Sequence, residues 1–286
     1  MIFSCLLAAA LVFSPEDAKA AFDLTADFVR DNPRRDAGTE CGKAAARWLA
    51  DRISAAGGKA RLDGFRAMSP DGMREFVNLY CAFERRPGTP WTVLVSHYDT
   101  KPGTGCPGAN DGGSTSCLLV GISRILASNR AFDRNVLLIW TDGEECRGSR
   151  YAENDGFQGS KRAAATLREM KLEVSGVYVL DMLGDRDLGI TIPSNASPEP
   201  VRRAIAAAHR VGLRIARRGT AVLDDHVAFL NAGFPAVDLI DFEYGSAPGL
   251  NDYWHTPSDT PDRLSSDSLL SVGRLAVGIL SAEVGK

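Results

Sequence analysis

The chain has 286 residues, 44% of them hydrophobic and 24% charged, with a formal net charge of -3 and a pI near 5.9. That length allows one large domain with a full core, and the balance of charge leaves no basic footprint for nucleic acid or an anionic membrane. No run reaches the roughly 20 apolar residues that span a bilayer.

The first residues read as a leader. Ile2 to Phe13 is an apolar run of signal-peptide length, and Ala18-Lys19-Ala20 offers a small-residue cleavage site. We therefore expect residues 1–20 to be a signal peptide, residues 21–286 to be the domain, and the mature protein to be secreted or periplasmic. Loss of Cys5 would leave Cys41, Cys81, Cys106, Cys117 and Cys146, an odd number without the C-x-x-C spacing of a thiolate metal site.

Helical periodicity covers residues 23–32 and 40–57, the second with Ala44, Ala45, Trp48, Leu49 and Ile53 on one face. Residues 59–65 and 75–83 read as strands around the turn Ser69-Pro70-Asp71-Gly72. Thr92-Val-Leu-Val-Ser96 is apolar on both faces, as a strand covered on both sides must be, and it runs into His97-Tyr-Asp99. A helix over 114–128 and a buried strand over 136–141 follow, the strand ending in Asp142-Gly-Glu-Glu145. Then come a helix over 161–170, an apolar strand over 176–183 carrying Asp181, helices over 200–213 and 223–231, a strand over 235–240 and a closing helix over 265–284. Helices alternating with apolar strands define an α/β domain. We expect one mixed, mostly parallel central sheet with helices on both faces.

Imidazoles and carboxylates that hold borderline or hard divalent metals have to converge from separate elements. His97, Asp111, Glu145, Asp181 and His255 each fall at a strand end or in a loop after one. Together they could hold two zinc ions with one carboxylate bridging, leaving Glu144 to move protons. Taken singly, each has a plainer explanation: a hydrogen-bonded structural histidine, a turn aspartate, an acidic solvated loop. His209, inside a helix beside Arg210, is structural. Asp99, two residues from His97, is placed to hold that imidazole from behind.

The ordered set His97-Tyr-Asp99, Gly108-Ala-Asn-Asp111, Asp142-Gly-Glu-Glu145, Asp181-Met-Leu-Gly184, Asp224-Asp-His226 and Trp254-His255-Thr256 resembles the zinc aminopeptidases and their glutaminyl cyclase relatives. The resemblance runs from about residue 23 to 284 and implies a zinc-dependent exopeptidase-like fold. It implies that Asp111, Glu145 and His255 are the ligands both branches share, with Asp111 the bridge. His97 and Asp181 would complete a second zinc site, and Glu144 would be the catalytic acid and base. Asp225, His226 and Trp254 would line or support the substrate pocket, with Tyr151 where cyclases carry a pocket tryptophan. It further implies a cis peptide between Asp111 and Gly112.

Both branches act on peptides with a free N-terminal amine. The segments around Asp225-His226, Tyr253-Trp254 and Gly159-Ser160 lean toward the cyclase branch, which turns N-terminal glutamine into pyroglutamate and ammonia. The alternative is an aminopeptidase that hydrolyses the first peptide bond. An inactive binding protein on the same fold would be marked by loss of Glu144 or of a shared ligand, and none is lost. A serine hydrolase would need a G-x-S-x-G elbow, which is missing.

Overall fold

The computed structural model describes residues 11–282. Helix α1 (Pro15–Asp31) starts at a capping box: the amide of Asp17 donates to Ser14 Oγ (3.2 Å) and the amide of Ser14 to Asp17 Oδ2 (2.9 Å). The sequence expectation had placed this stretch in the leader. Yet Ala18 and Ala21 are buried, and Phe13, 1% exposed, lies against Gly273, where an added Cβ would come within 2.3 Å of its ring. Cleavage after Ala20 would cut α1 in its interior and withdraw Phe13 from the core. In the full-length chain, residues 11–20 thus pack against the rest of the fold. The earlier part of the apolar run, residues 2–10, lies outside the described residues.

Helix α2 (Glu40–Ala55) leads to β1 (Ala60–Ser69) and β2 (Gly72–Phe83), an antiparallel hairpin longer than its apolar pattern suggests. The remaining elements are β3 (Trp91–His97), α3 (Thr115–Ser128), β4 (Asn135–Thr141), α4 (Gln158–Glu169), β5 (Val174–Asp181), β6 (Thr191–Ile192), α5 (Pro198–Arg210), β7 (Ala216–Arg217), α6 (His226–Asn231), β8 (Ala236–Ile240) and α7 (Ser266–Ser281). The strands form one sheet in the order β1-β2-β4-β3-β5-β8-β6-β7. Its centre, β4-β3-β5-β8, is parallel, while β2 joins β4 and β6 joins β8 antiparallel. Sequence gave no sign of β6 and β7, which are two residues each and carry no periodicity.

Side-chain alternation sorts the centre of the sheet into two cores. Leu94, Leu138, Trp140, Tyr178 and Leu180 face α1, α2, α3, α5 and α7. Val93, Val95, Leu137, Ile139, Val177 and Val179 face α4 and α6. The chain leaves β3 for β4 through α3 on the first face, then crosses back over β3 to β5 through α4 on the second. Such a reversal opens a crevice at the carboxyl ends of the strands, and the chemistry-bearing residues lie there.

Candidate active site

Strand ends supply the first ligand candidates. His97 closes β3 and Asp181 closes β5, while Glu144 and Glu145 follow β4 through the turn at Gly143. Asp111 sits in a kinked turn, Ala109–Ser114, ahead of α3. There the backbone leaves helical values at Asp111 (φ -73°, ψ 95°) and Gly112 (φ 77°, ψ -31°). A Cβ on Gly112 would come within 2.7 Å of His97 Cε1, so glycine lets the turn pass beneath the imidazole. The expected cis bond after Asp111 is not found: every peptide bond among the described residues is trans. The dihedrals at Asp111 and Gly112 turn the chain instead. His255 comes from the loop after β8, with its own backbone left-handed (φ 57°).

These side chains form two clusters with Asp111 between them. On one side, His97 Nε2 lies 3.1 Å from Asp111 Oδ1 and 3.1 Å from Asp181 Oδ1. On the other, His255 Nε2 lies 3.3 Å from Asp111 Oδ2 and 2.8 Å from Glu145 Oε1. Ligand atoms within each trio lie within 4.8 Å of one another. Asp111 Oδ2 and both Glu145 oxygens are buried without a hydrogen bond. Buried acceptors left so need a partner, and carboxylate and imidazole are the donor set that zinc takes. The residues fit a metal pair.

The supporting residues are as specific as the ligands. Asp99 accepts the amides of Glu144 (3.2 Å) and Glu145 (3.1 Å), fixing the turn that presents both, while its Oδ1 stands 3.5 Å from His97 Nδ1. Its main hold is thus on the glutamate turn rather than on the imidazole. Asp259 accepts the amides of Asn110 (2.7 Å) and Asp111 (3.1 Å) and the hydroxyl of Tyr244 (2.8 Å). Arg35, fully buried, donates to the carbonyls of Tyr98, Pro107 and Gly108 and so ties the loop of His97 to that of Asp111. Lys101 Nζ sits 3.5 Å from Glu145 Oε2. The sequence reading missed these three. Only Asp259, four residues past His255, carried a signal, an acidic residue near a ligand motif.

A cavity of about 340 Å³ opens over the clusters, lined by Asp111, Glu144, Glu145, Asp181 and His255 together with Tyr151, Asp224 and Trp254. Tyr151 donates its hydroxyl to Glu144 Oε1 (2.9 Å) and stacks on Phe157 at 4.3 Å. Trp254 stacks on His255 at 3.8 Å and meets Phe242 edge-on. Two of the expected residues lie behind the cavity rather than in its lining. Asp225 is not in the cavity; it is fully buried behind Thr141, whose hydroxyl it accepts at 2.6 Å. Its neighbour Asp224 is the wall residue, because α6 begins there and turns successive side chains apart. His226 is likewise buried, grouped with Asp224 and Asp238, and neither ring nitrogen has a hydrogen bond.

So many carboxylates in a buried site cannot all ionise without a cation. Burial, then the charge of Glu145, holds the Glu144 carboxyl well above its ordinary range. Burial and Asp111 push Glu145 up to about 7 against the pull of His255. Burial opposes the charge on His255, but Asp111 and Glu145 outweigh it and raise the imidazole to about 9. Burial, then Asp181 and Asp225, raises Asp224 as well.

Fold and site together define the class, an α/β enzyme whose centre is suited to a pair of divalent cations. The model of peptidase family M28 matches residues 78–280, and the chain belongs to that family. It is 26% identical over 268 residues to the glutaminyl-peptide cyclotransferase-like protein of Bos taurus, covering 82% of this chain and 67% of that one. It is 28% identical over 204 residues to aminopeptidase YwaD of Bacillus subtilis (strain 168), covering 68% of this chain and 41% of that protein. Among solved structures, an Acidobacteriales bacterium glutaminyl cyclase superposes with a TM-score of 0.82 at 30% identity, over 92% of this chain and 93% of that one.

Proposed function

We propose that the protein is a zinc-dependent glutaminyl-peptide cyclotransferase, acting on peptides whose N-terminal residue is glutamine. The observation that carries this reading is the isolation of Glu144. Its neighbour Glu145 joins a ligand cluster, whereas Glu144 is held by Tyr151 and keeps a raised proton affinity, which suits it to proton transfer. The choice of glutamine rests on the likeness to the bacterial glutaminyl cyclase over nearly the whole of both chains.

Zinc held by Asp111, Glu145 and His255, with His97 and Asp181 completing a second position, would supply Lewis acidity toward the γ-amide carbonyl. The wall of Glu144, Asp181 and Asp224 offers carboxyl oxygens as hydrogen-bond acceptors to the α-amine. The amine reacts as the free base, one proton having left to solvent: its nitrogen bonds to the γ-carbon as Glu144 takes the second proton, and the bond between the γ-carbon and the amide nitrogen breaks. Glu144 returns the proton to the departing ammonia. Trp254 and Tyr151 bound the space around the glutamine side chain.

A second reading, zinc aminopeptidase, is favoured by the complete His97-Asp111-Asp181 trio beside the first, which suits two cations. In that case Glu144 takes its proton from water and gives it to the leaving amine. Mass spectrometry of Gln- and Leu-initiated peptides with zinc-loaded protein separates the two. Loss of one ammonia from the Gln peptide alone is the expected result; loss of a whole residue from either establishes the peptidase, and no change in either overturns both.

The compartment belongs to the same proposal: secreted or periplasmic, with residues 1–20 removed as a leader, so that the mature α1 would begin at Ala21. N-terminal sequencing of exported protein checks this, and a mature chain that keeps Phe13 and the capping box at Ser14 would overturn it.

A further inference from the structure

Beside the catalytic cavity lies a second cleft of about 350 Å³ between α4 and α6, and Leu223 lines both. The partition between them is thin. On the cavity side it is Tyr151, whose ring stacks on Phe157, and Phe157 is the wall of the second cleft. Leu223 forms the rest of the lip and is 60% exposed, so its side chain is open to a ligand that crosses from one space to the other. The floor of the second cleft is apolar, with Val227 and Ala228 from α6, and its rim carries Lys161 and Arg168 from α4. Lys161 is committed to the carbonyls of Glu153 and Gly156. Arg168 makes no ion pair among the described residues and remains available.

The two spaces are opposite in charge. The first is walled by carboxylates and takes an amine; the second has an apolar floor under a basic rim. A peptide held by its N-terminus in the first leaves over Leu223, the lip that both share. We infer that the α4–α6 cleft is the downstream subsite of the enzyme, selecting peptides with an apolar residue after the first and an acidic residue one or two places later. The inference rests on the cavity receiving a peptide N-terminus, but not on which reaction follows. Apolar contact at the lip is worth about tenfold or more in specificity, and an exposed charge pair adds roughly two- to fivefold.

The test compares Gln-Leu-Ala-Asp-amide with Gln-Ser-Ala-Lys-amide, and the same pair beginning with Leu, on zinc-loaded wild type, Leu223→Ser and Arg168→Glu. The readout is the ratio of kcat/KM between the two peptides within each protein, so that a general loss of activity cancels. We expect wild type to favour the Leu/Asp peptide by about tenfold or more. Leu223→Ser should erase most of that preference, and Arg168→Glu should shift the remainder toward the Lys peptide. Equal turnover of the two peptides by wild type, or a preference unchanged in both variants, overturns the subsite. Calorimetric titration of the same peptides into zinc-loaded Glu144→Gln measures the preference as a ratio of Kd. If neither series is turned over, the reaction assignment has failed. The Kd ratio then still decides the subsite, equal affinities overturning it.

Discussion

The two halves of the ligand set are built differently. His97 and Asp181 are the last residues of adjacent parallel strands, both buried, at the centre of the sheet. Glu145 and His255 stand on loops, and His255 keeps 18% of its side chain exposed under the ring of Trp254. Asp111 belongs to both. The inner half is placed by strand register, and the outer half by a few hydrogen bonds from Asp99 and Asp259. The outer half is therefore where we expect single substitutions to separate chemistry from metal binding.

The largest expected effect sharpens that separation. Glu144→Gln should lower kcat by about 10²–10⁴-fold with zinc content unchanged, because Glu144 stands beside the outer cluster without joining it. Stopped assays paired with elemental analysis check this, and a fall in zinc would make Glu144 a ligand. Next, His255→Ala should weaken zinc binding by more than about a hundredfold, since changes one layer further out already cost 10–100-fold. His97→Ala should remove cation only from the inner half and leave part of the cyclase turnover. Equal abolition by both would mean that the two halves work as one, as the peptidase reading requires.

A smaller effect concerns pH. In the metal-free protein Glu145 titrates near 7, Asp225 and Asp259 near 6, and His255 near 9. Each holds its proton more tightly folded than unfolded, so the native state binds the extra protons and stability falls as pH rises from about 4 to 9. Zinc takes the place of ligand protons, so its stabilisation grows over the same interval. The zinc-induced rise in Tm should be larger at pH 8 than at pH 5 by scanning calorimetry; a rise independent of pH would remove these ligands from the cation site. Smallest is Tyr151→Phe, which deletes one hydrogen bond to Glu144 while keeping the ring against Phe157. A bond of about 1 kcal/mol predicts roughly a fivefold fall in kcat with little change in KM. An unaltered kcat would show that Tyr151 does not orient the acid-base group.

Much of this was legible in the chain. The apolar runs before His97 and Asp142 could only be strands covered on both sides, and a motif after each is what an α/β crevice demands. The leader is the least legible part, because an apolar run with small residues at its end reads the same whether it is exported or packed. The capping box at Ser14 is a contact over three residues, whereas the gap that Gly273 leaves for Phe13 joins opposite ends of the chain and shows only once the chain is folded.

The sequence by itself determined the fold class and the residues able to ligate, since these follow from periodicity and from side-chain chemistry, and its resemblance to the zinc aminopeptidases and cyclases supplied the expectation that Glu144 is the spare carboxylate. Only the tertiary structure decided which oxygen of Asp111 faces which cluster, that Asp224 rather than Asp225 reaches the cavity, and that Arg35 and Asp259 hold the loops in place. Orientation about a helix start, and hydrogen bonds between residues far apart in the chain, are set by how the elements pack; no local pattern encodes them.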